Sequence, residues 1–317
     1  MKLTADFNFY RNIPADKKPL PASHCYSDPL EDQYNAVTMD SNQTYHYIMN
    51  MCSNYTEASY RSCKVPKIVH LVPGRRFKFH HYLNIKAIKK IIKPDRIYVH
   101  GEIFPFSSKF FMDAVHEFDL DLVLSRTITS TFSGQPIEAG EHKADLIRME
   151  ALIRYGGIYL DMDAFPIKRF DRFLDDEFSI GYQNQEEDYG LNNGIMISKK
   201  CSRFALKWYE EYKSFDPQDW DHHSVKLPLK IYRNNTELAK AYRHELVSWW
   251  SWDKNWKELP MFKPYDSSDW LNVYAVHSFY RLYAGNTPFP INFQTVKNID
   301  NSFGRFARHV LYNGPAM

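Results

Sequence analysis

The chain has 317 residues, of which 44% are hydrophobic and 25% charged, and its formal net charge is +2. This length allows one large domain or two small ones with a substantial core. The nearly neutral charge excludes a strongly basic nucleic-acid-binding protein. No stretch approaches the roughly 20 apolar residues that cross a bilayer, and no signal-peptide pattern opens the chain. We expect no nucleic-acid partner, no transmembrane segment, and a cytosolic protein unless an N-terminal anchor has been lost.

The first 64 residues show little hydrophobic periodicity, which predicts an irregular N-terminal extension that packs on the main domain. The prolines that interrupt this segment are Pro14, Pro19, Pro21 and Pro29. The cysteines of the chain are Cys25, Cys52, Cys63 and Cys201. Their spacing is not that of a metal site, and a disulfide within the extension and four free thiols both remain open. Four cysteines allow three pairings, among which sequence cannot choose.

Beyond residue 64 the sequence alternates between strand and helix patterns. Short apolar runs at 67–72, 96–100 and 120–124 predict buried strands. Helical spacing of apolar residues over 79–93 and 107–116 predicts helices between them. This alternation predicts an α/β fold with a largely parallel central sheet flanked by helices.

The segment 141–163 is the most informative part of the sequence. Good helix formers fill 141–155, Gly156 and Gly157 can take left-handed dihedrals that end the helix, and a short apolar strand follows. That strand ends in Asp161 and Asp163. In open α/β sheets ligands bind outside the carboxyl ends of the strands, so we expect these two acids to lie at a ligand site.

The last third of the chain shows weaker patterns. Residues 194–198 and 273–277 predict short strands, and 204–212 predict a helix. The last forty residues contain Pro288 and Pro290 and few periodic signals. We therefore predict an irregular tail.

Asp161 and Asp163 stand two residues apart, so their side chains project to the same side of an extended chain. Two such carboxylates repel each other unless a cation lies beside them. Oxygen ligands favour Mg²⁺ or Mn²⁺, and such an ion can hold a diphosphate and neutralise the charge that develops as it leaves. The alternative is a surface turn with two solvated acids. The preceding strand, glycine pair and charged helix favour the metal site.

Further polar residues are candidates for substrate contacts. Asp145 and Arg148 lie at i and i+3 of the predicted helix, where they can bind sugar hydroxyls and phosphate oxygens or simply form an intrahelical ion pair. Asn192 can donate to and accept from vicinal hydroxyls, or serve as an ordinary turn residue. His277, at the end of a late strand, can complete a metal shell or be a buried core histidine.

One polar stretch is a candidate for the acceptor side of the site. It follows Trp220, and its members are Asp221, His222 and His223.

Four segments together resemble glycosyltransferase family 32, which has a DXD sugar-binding region. They are Val65-Pro-Lys-Ile-Val-His70, Ala144-Asp-Leu-Ile-Arg148, Tyr155-Gly-Gly-Ile-Tyr-Leu-Asp-Met-Asp163 and Asn192-Asn-Gly-Ile-Met196. The family includes animal α-1,4-galactosyltransferases and α-1,4-N-acetylglucosaminyltransferases. The sequence pattern is most similar to that of uncharacterised invertebrate members. The resemblance covers roughly residues 65–285. It implies a GT-A catalytic domain, which we place at 65–317 after an extension at 1–64.

The resemblance also implies a reaction. A retaining, Mn²⁺-dependent (or Mg²⁺-dependent) hexosyltransferase would move a hexose or N-acetylhexosamine from a nucleotide-diphosphate sugar, most simply a UDP-sugar, to a glycan, glycolipid or glycoprotein. With an anchor it would work in the Golgi or secretory lumen.

The resemblance assigns roles to individual residues. Asp161 and Asp163 would serve the metal and diphosphate, and His277 lies where relatives place a late metal ligand. The donor sugar and nucleotide would contact Asp145, Arg148 and Tyr159, with Asn192 near the transferred sugar.

Two other classes of protein remain open. A haloacid-dehalogenase-like phosphotransferase also has a strand ending in Asp-x-Asp, although Phe165 stands where such enzymes usually carry Thr or Val. A non-catalytic protein of this fold would bind nucleotide sugars or glycans without transfer.

Overall fold

The computed structural model describes residues 25–30, 37–184, 188–248, 260–280 and 291–317. Several prolines used in the predictions above lie outside the described residues, namely Pro14, Pro19, Pro21, Pro288 and Pro290.

Helices and strands alternate along much of the described chain. The α-helices are α1 Ser41–Cys52, α2 Glu57–Ser62, α3 Phe79–Ala87, α4 Lys109–Phe118, α5 Gly140–Tyr155, α6 Arg203–Glu210, α7 Leu227–Asn234 and α8 Ser302–Tyr312. The strands are β1 Ile68–Leu71, β2 Arg96–Gly101, β3 Asp121–Leu124, β4 Gly157–Leu160, β5 Ala164–Pro166, β6 Phe178–Tyr182, β7 Leu191–Ser198, β8 Lys240–Tyr242, β9 Leu246–Ser248 and β10 Ala275–His277. A π-helical turn, Ile88–Ile92, extends α3, and another, His222–Lys226, precedes α7.

Within the described ranges, the strands form a seven-stranded sheet in the order β3-β2-β1-β4-β7-β6-β8 and a three-stranded sheet in the order β5-β10-β9. In the large sheet β1 pairs in parallel with β2 and β4, β2 with β3, and β6 with β8. Strand β7 is antiparallel to both β4 and β6. The predicted α/β fold with a mostly parallel central sheet is therefore confirmed.

Strand β4 shows how the sequence divides the core into two layers. Ile158 and Leu160 pack with the cluster that contains residues of α3 and α4, whereas Tyr159 packs with residues of α5 and α6. Alternate side chains of a strand face opposite sides of the sheet, so both faces of β4 are covered by helices. This burial explains why the strand appears in the sequence as a continuous apolar run.

The glycine pair after α5 ends the helix as predicted. Gly156 has φ +70° and Gly157 has φ +112°, which are unfavourable for residues with a Cβ. A Cβ on Gly157 would also lie 2.7 Å from Cγ1 of Ile68 on β1. The pair thus turns the chain from α5 directly into β4, which leads to the two aspartates.

The prediction that the segment up to residue 64 is irregular is wrong for residues 41–62, most of which form α1 and α2. Helix α1 begins with a capping box between Asp40 and Gln43, and α2 begins with one between Thr56 and Ser59. Ile48 of α1 packs in the same core cluster as residues of α5. Capping and tertiary packing therefore supply order that hydrophobic periodicity alone did not indicate.

The predicted irregular tail is also wrong, because it contains α8. Asn301 caps this helix by accepting a hydrogen bond from the Gly304 N–H at 2.8 Å. Its buried face consists of Phe303, Phe306, Ala307 and Val310, which pack with the third core cluster. Their spacing is that of an amphipathic helix, so a signal for α8 was present in the sequence.

Two disulfides involve the N-terminal segment, one within it and one that links it to the rest of the chain. Cys25 pairs with Cys63, and Cys52 of α1 pairs with Cys201, which follows β7. The second bond spans 149 residues and ties α1 to the large sheet. The alternative of four free thiols is thereby excluded, and no free cysteine remains in the chain.

The two disulfides are expected to differ in their contribution to stability. Replacing Cys52 and Cys201 with alanine should lower the free energy of unfolding by about 2 to 5 kcal/mol. This loss should be about 1 kcal/mol larger than that from removing Cys25–Cys63, because opening the longer loop gives the unfolded chain more entropy. Non-reducing urea unfolding of both variants measures the difference. An equal or greater loss for the 38-residue loop would contradict this ranking.

Candidate functional site

The Asp161-Met162-Asp163 segment is the turn that carries the chain from the large sheet into the small one. After β4 ends at Leu160, the Asp161 N–H donates to the Gly194 carbonyl of β7 at 2.8 Å, and the Ala164 N–H closes a turn onto the Asp161 carbonyl at 2.9 Å. Ala164 opens β5 and pairs with His277 of β10. The crossing between the two sheets therefore brings His277 against the two acids.

Asp161, Asp163 and His277 form a compact cluster. The His277 Nε2 atom lies 3.2 Å from Asp163 Oδ1 and 3.5 Å from Asp161 Oδ2. One potential ligand atom from each residue lies within 4.8 Å of the other two. The imidazole is buried, whereas the two carboxylates remain 22% and 18% exposed. Three potential ligand atoms, two of them on partly exposed carboxylates, make this a candidate metal site.

The charges of the cluster are strongly coupled. Burial alone would raise the pKa of Asp163, but the positive His277, aided by a hydrogen bond from it, lowers that pKa to about 2. Burial alone would lower the pKa of His277, but Asp163 and Asp161 raise it above its ordinary value. Without a cation, a proton on His277 therefore balances part of the acidic charge.

The residues fit a divalent cation. Three carboxylates meet here, because Asp145 is linked through Arg148 to Asp161. One guanidinium balances one of them, which leaves two negative charges when His277 is neutral. Carboxylate oxygens bind hard divalent cations, and an imidazole nitrogen is a common ligand of divalent transition metals.

Arg148 is at the centre of a buried network. Its Nη2 atom lies 3.4 Å from Asp145 Oδ1 and 3.2 Å from Asp161 Oδ1, and its Nη1 atom donates to both oxygens of Asn193 at 3.0 Å. The Nε–H donates to the Ala144 carbonyl at 3.3 Å. Each guanidinium nitrogen thus has an acceptor within the protein, and the ion pair foreseen between Asp145 and Arg148 is part of a larger arrangement.

Tyr159 reaches the same carboxylate from β4. Its hydroxyl donates to Asp161 Oδ1 at 2.7 Å, and the Arg148 guanidinium lies 4.6 Å from the centre of its ring. The ring is fully buried, and burial followed by the neighbouring charges leaves the pKa of Tyr159 well above its usual range. The hydroxyl therefore stays protonated and holds one oxygen of Asp161.

Sequence reasoning missed the role of Asn193. Its Nδ2 donates to Asp145 Oδ1 at 2.7 Å, while its two oxygens accept from Arg148. Two further residues were also missed: Asn84 Nδ2 donates to the Asp161 carbonyl at 3.1 Å, and Ser278 donates from its N–H and hydroxyl to the Asp163 carbonyl. A lone Asn or Ser carries no signal of such a contact in the sequence.

Asn192 lies beside His277 and is buried. Its Oδ1 atom is 3.1 Å from His277 Nδ1, and its Nδ2 donates to Gln183 Oε1 at 2.5 Å. It is therefore a β-strand residue at the cluster rather than a turn asparagine.

The predicted acceptor-side residues form a separate cluster around the π-helical turn before α7. Asp221 accepts from the Tyr189 hydroxyl and pairs with Lys226 Nζ at 2.7 Å. His222 Nδ1 lies 3.6 Å from Asp219 Oδ2. His223 is buried and packs on aromatic rings, with Trp220 exposed nearby on the chain. Among the described residues, no hydrogen bond or ion pair joins Asp221 or His222 to Asp161, Asp163 or His277.

Sequence comparisons agree with this geometry. Residues 83–180 match the family model described as "Glycosyltransferase sugar-binding region containing DXD motif". "Glucan organizing enzyme 1" of Cryptococcus neoformans var. grubii is 27% identical over 263 residues, which cover 77% of this chain and 70% of that protein. An uncharacterized protein of Arabidopsis thaliana is 26% identical over 176 residues, which cover 50% of this chain and 27% of that protein. This chain therefore spans only about a quarter of the plant protein.

Among solved structures, the "PaToxG Glycosyltransferase" is 15% identical, with 91% of this chain and 99% of that chain covered at a TM-score of 0.41.

The region that matches this family model contains most of the candidate site. It runs from α3 through the two aspartates to β6, and so contains Asp145, Arg148, Tyr159, Asp161 and Asp163. The matches support a glycosyltransferase family for this chain, with glycosyl transfer as the general reaction.

Proposed function

We propose that the protein is a retaining, Mn²⁺-dependent hexosyltransferase of the GT-A type that uses a UDP-sugar and acts on a glycan, glycolipid or glycoprotein. The observation that carries the proposal is the convergence of Asp161, Asp163 and His277 on one small volume at the end of β4. The donor, the acceptor, the metal and the stereochemistry are parts of this proposal.

Asp161, Asp163 and His277 would hold the metal ion. When bound, a divalent cation there neutralises charge on a diphosphate leaving group. Tyr159 and Arg148 fix the orientation of Asp161 through its two oxygens. Such preorganisation means that little rearrangement is needed when charge develops.

The network around Arg148 refines the roles expected from sequence. Because each of its nitrogens already has a protein acceptor, we propose that Arg148 positions Asp161 and Asp145 rather than binding the sugar. Asp145 would accept from a donor hydroxyl with the carboxylate oxygen that Asn193 does not use. Asp221 and His222 are proposed to contact a more distant part of the acceptor, because their bonds lie in a separate cluster.

Retention of configuration requires the acceptor to attack the face from which the leaving group departs. In the proposed course, the acceptor oxygen forms a bond to the anomeric carbon as the bond to the diphosphate oxygen breaks. The electron pair stays with the diphosphate, and the acceptor proton passes to it. The transition state has oxocarbenium character, as at other anomeric centres.

The proposed location is the secretory lumen, with residues 65–317 as the catalytic domain and 1–64 as an extension. All four cysteines are paired, which is typical of an oxidising compartment. None of the helices in the described ranges combines the length and hydrophobicity needed to span a membrane.

The test is a screen of UDP- and GDP-sugars for hydrolysis and transfer with Mn²⁺ and with EDTA. We expect slow hydrolysis of one or a few UDP-sugars that requires the metal. Turnover of an aryl phosphate without any nucleotide-sugar hydrolysis would favour the phosphotransferase alternative. Calorimetric binding of UDP and Mn²⁺ with neither hydrolysis nor transfer would favour a non-catalytic binder.

Mn²⁺ affinity is expected to fall as the pH decreases through the raised pKa of His277. A protonated imidazole has no lone pair on Nε2, so the proton and the metal compete. Below that pKa we expect up to about a tenfold loss of affinity per pH unit, measured by Mn²⁺ electron paramagnetic resonance. The variant His277→Gln should bind weakly and lose this dependence. A wild-type affinity that does not change between pH 5 and 8 would contradict the prediction.

The raised pKa of His277 has a consequence of opposite pH dependence for the stability of the metal-free protein. Because the folded-state pKa of His277 is raised, its ion pair stabilises the fold fully below the unfolded value of about 6.5 and loses this effect as the pH rises through the folded value. Urea unfolding in EDTA should therefore show this contribution decreasing at alkaline pH. His277→Gln removes it and serves as the control.

A further inference from the structure

The hydrogen bonds of Asn192 fix the orientation of its amide. The Gly194 N–H can only donate, and it lies 2.8 Å from Asn192 Oδ1. The other end of the amide is therefore Nδ2, which donates to Gln183 Oε1 at 2.5 Å and to Ser248 Oγ at 3.3 Å. These partners hold Asn192 from three different strands or their adjoining residues.

This orientation determines the proton arrangement of His277. Asn192 Oδ1 can only accept, so the His277 Nδ1 atom at 3.1 Å must carry a hydrogen and donate it. The other ring nitrogen, Nε2, is the one that faces Asp161 and Asp163. The neutral imidazole thus presents its Nε2 lone pair to the two acids, which is the form that can ligate a metal.

The backbone of β7 places Asn192 in this position. Pairing between β6 and β7 shifts register at Ile180 and Gly181, after which Gly181 pairs with Asn192. Such irregularities re-aim side chains beside functional sites. Gly194 lies in the shifted segment, and a Cβ there would stand 2.7 Å from His277 Nδ1. The imidazole therefore occupies space that only glycine leaves free at this position.

We infer that Asn192, oriented by Gln183 and Ser248 and given room by Gly194, is a positioning residue that fixes the tautomer and direction of His277 for metal binding. This inference rests on the proposed function, in which His277 is a metal ligand. It replaces the expectation that Asn192 contacts the transferred sugar. Hydrogen-bond partners of this kind orient metal-ligating histidines through their second ring nitrogen.

Burial supports positioning over direct contact with the sugar. Asn192 is 4% exposed and Gln183 is 7% exposed, so the bonded amides have little access to solvent. Asn192 Oδ1 serves Gly194 and His277, and its Nδ2 serves Gln183 and Ser248. A sugar hydroxyl would have to displace one of these bonds.

The experiment measures Mn²⁺ binding, without sugar and without turnover, in Asn192→Ala, His277→Ala and the double variant. We expect Asn192→Ala to weaken Mn²⁺ binding about 10- to 100-fold. We expect the double variant to bind no more weakly than His277→Ala alone, because Asn192 acts through the imidazole. Asn192→Asp keeps an acceptor for His277 Nδ1 and should retain more affinity than Asn192→Ala. Gly194→Ala should weaken Mn²⁺ binding by displacing the ring.

The matched control is Asn235→Ala, which removes an asparagine that bonds the Ile231 carbonyl at the end of α7. Its Mn²⁺ affinity should equal that of the wild type, and thermal unfolding in EDTA checks that every variant is folded. Unchanged Mn²⁺ affinity in Asn192→Ala overturns this inference and leaves the metal proposal intact. The same holds if the losses of Mn²⁺ binding free energy in Asn192→Ala and His277→Ala are additive in the double variant. A wild-type protein that binds no Mn²⁺ overturns both the metal proposal and this inference.

Discussion

Asp163→Asn is expected to lower sugar transfer by at least about 10³-fold, equivalent to about 4 kcal/mol of transition-state stabilisation. The change removes one of the two negative charges that the metal would balance, while the amide keeps the size of the side chain. Its Oδ1 can still accept a hydrogen bond from a protonated His277, so the fold should be preserved. Transfer from the UDP-sugar identified in the screen, Mn²⁺ resonance titration and thermal unfolding measure the three effects separately.

Asp175→Asn is the matched control for this variant. Asp175 forms an exposed pair with Lys64 at 2.9 Å, and such surface pairs contribute little to stability. We expect its transfer rate and Mn²⁺ affinity to equal those of the wild type. If Asp163→Asn retained near wild-type turnover under saturating Mn²⁺, the assignment of the metal site would be wrong.

The central sheet was predictable because its signals are local. Residues 67–72, 96–100 and 120–124 are short apolar runs, and β1, β2 and β3 lie within them or overlap them closely. Each strand is buried on both faces, so burial alone specifies an apolar run. The glycine pair after α5 was equally readable, because its φ values exclude residues with a Cβ.

The meeting of His277 with the acids is not readable in the same way. It depends on β5 pairing with β10, although Ala164 and His277 are far apart in the chain. The sequence places each residue at the end of a strand, but strand pairing in the small sheet is a tertiary property. Its position at the end of a predicted strand left His277 open between a metal ligand and a core histidine, and the resemblance to a known family favoured the metal ligand.

Neighbouring asparagines illustrate a second limit. Asn192 and Asn193 look alike in sequence, yet the first faces His277 and the second bonds Asp145 and Arg148. Alternation along a strand predicts that these two side chains point to opposite faces of the sheet. It does not predict which direction leads to the site, because the register shift in β7 has no sequence signature.

Arg148→Met is expected to destabilise the protein by about 3 to 5 kcal/mol, because it leaves two carboxylates without their buried cation. The Asp145 side chain is 9% exposed, and the hydrogen bond that it accepts from Asn193 does not supply a positive charge. A loss of this size is a large part of the 5 to 15 kcal/mol that stabilises typical domains. Urea unfolding at neutral pH measures the change, and Arg233→Met, which breaks an exposed pair with Asp188, should stay within about 1 kcal/mol of wild type.

The pH dependence of that loss identifies its cause. Burial, opposed by Arg148, already raises the pKa of Asp145 in the folded protein, and removing the cation should raise it further. A carboxyl whose folded pKa is raised costs stability as the pH rises from its unfolded pKa, about 3.9, towards the folded pKa. The defect of Arg148→Met should therefore shrink at acidic pH. Adding Asp145→Asn should recover part of the stability at neutral pH, since one unpaired charge is then absent. A defect that is independent of pH and unchanged in the double variant would mean that Arg148 contributes packing over Tyr159 rather than charge.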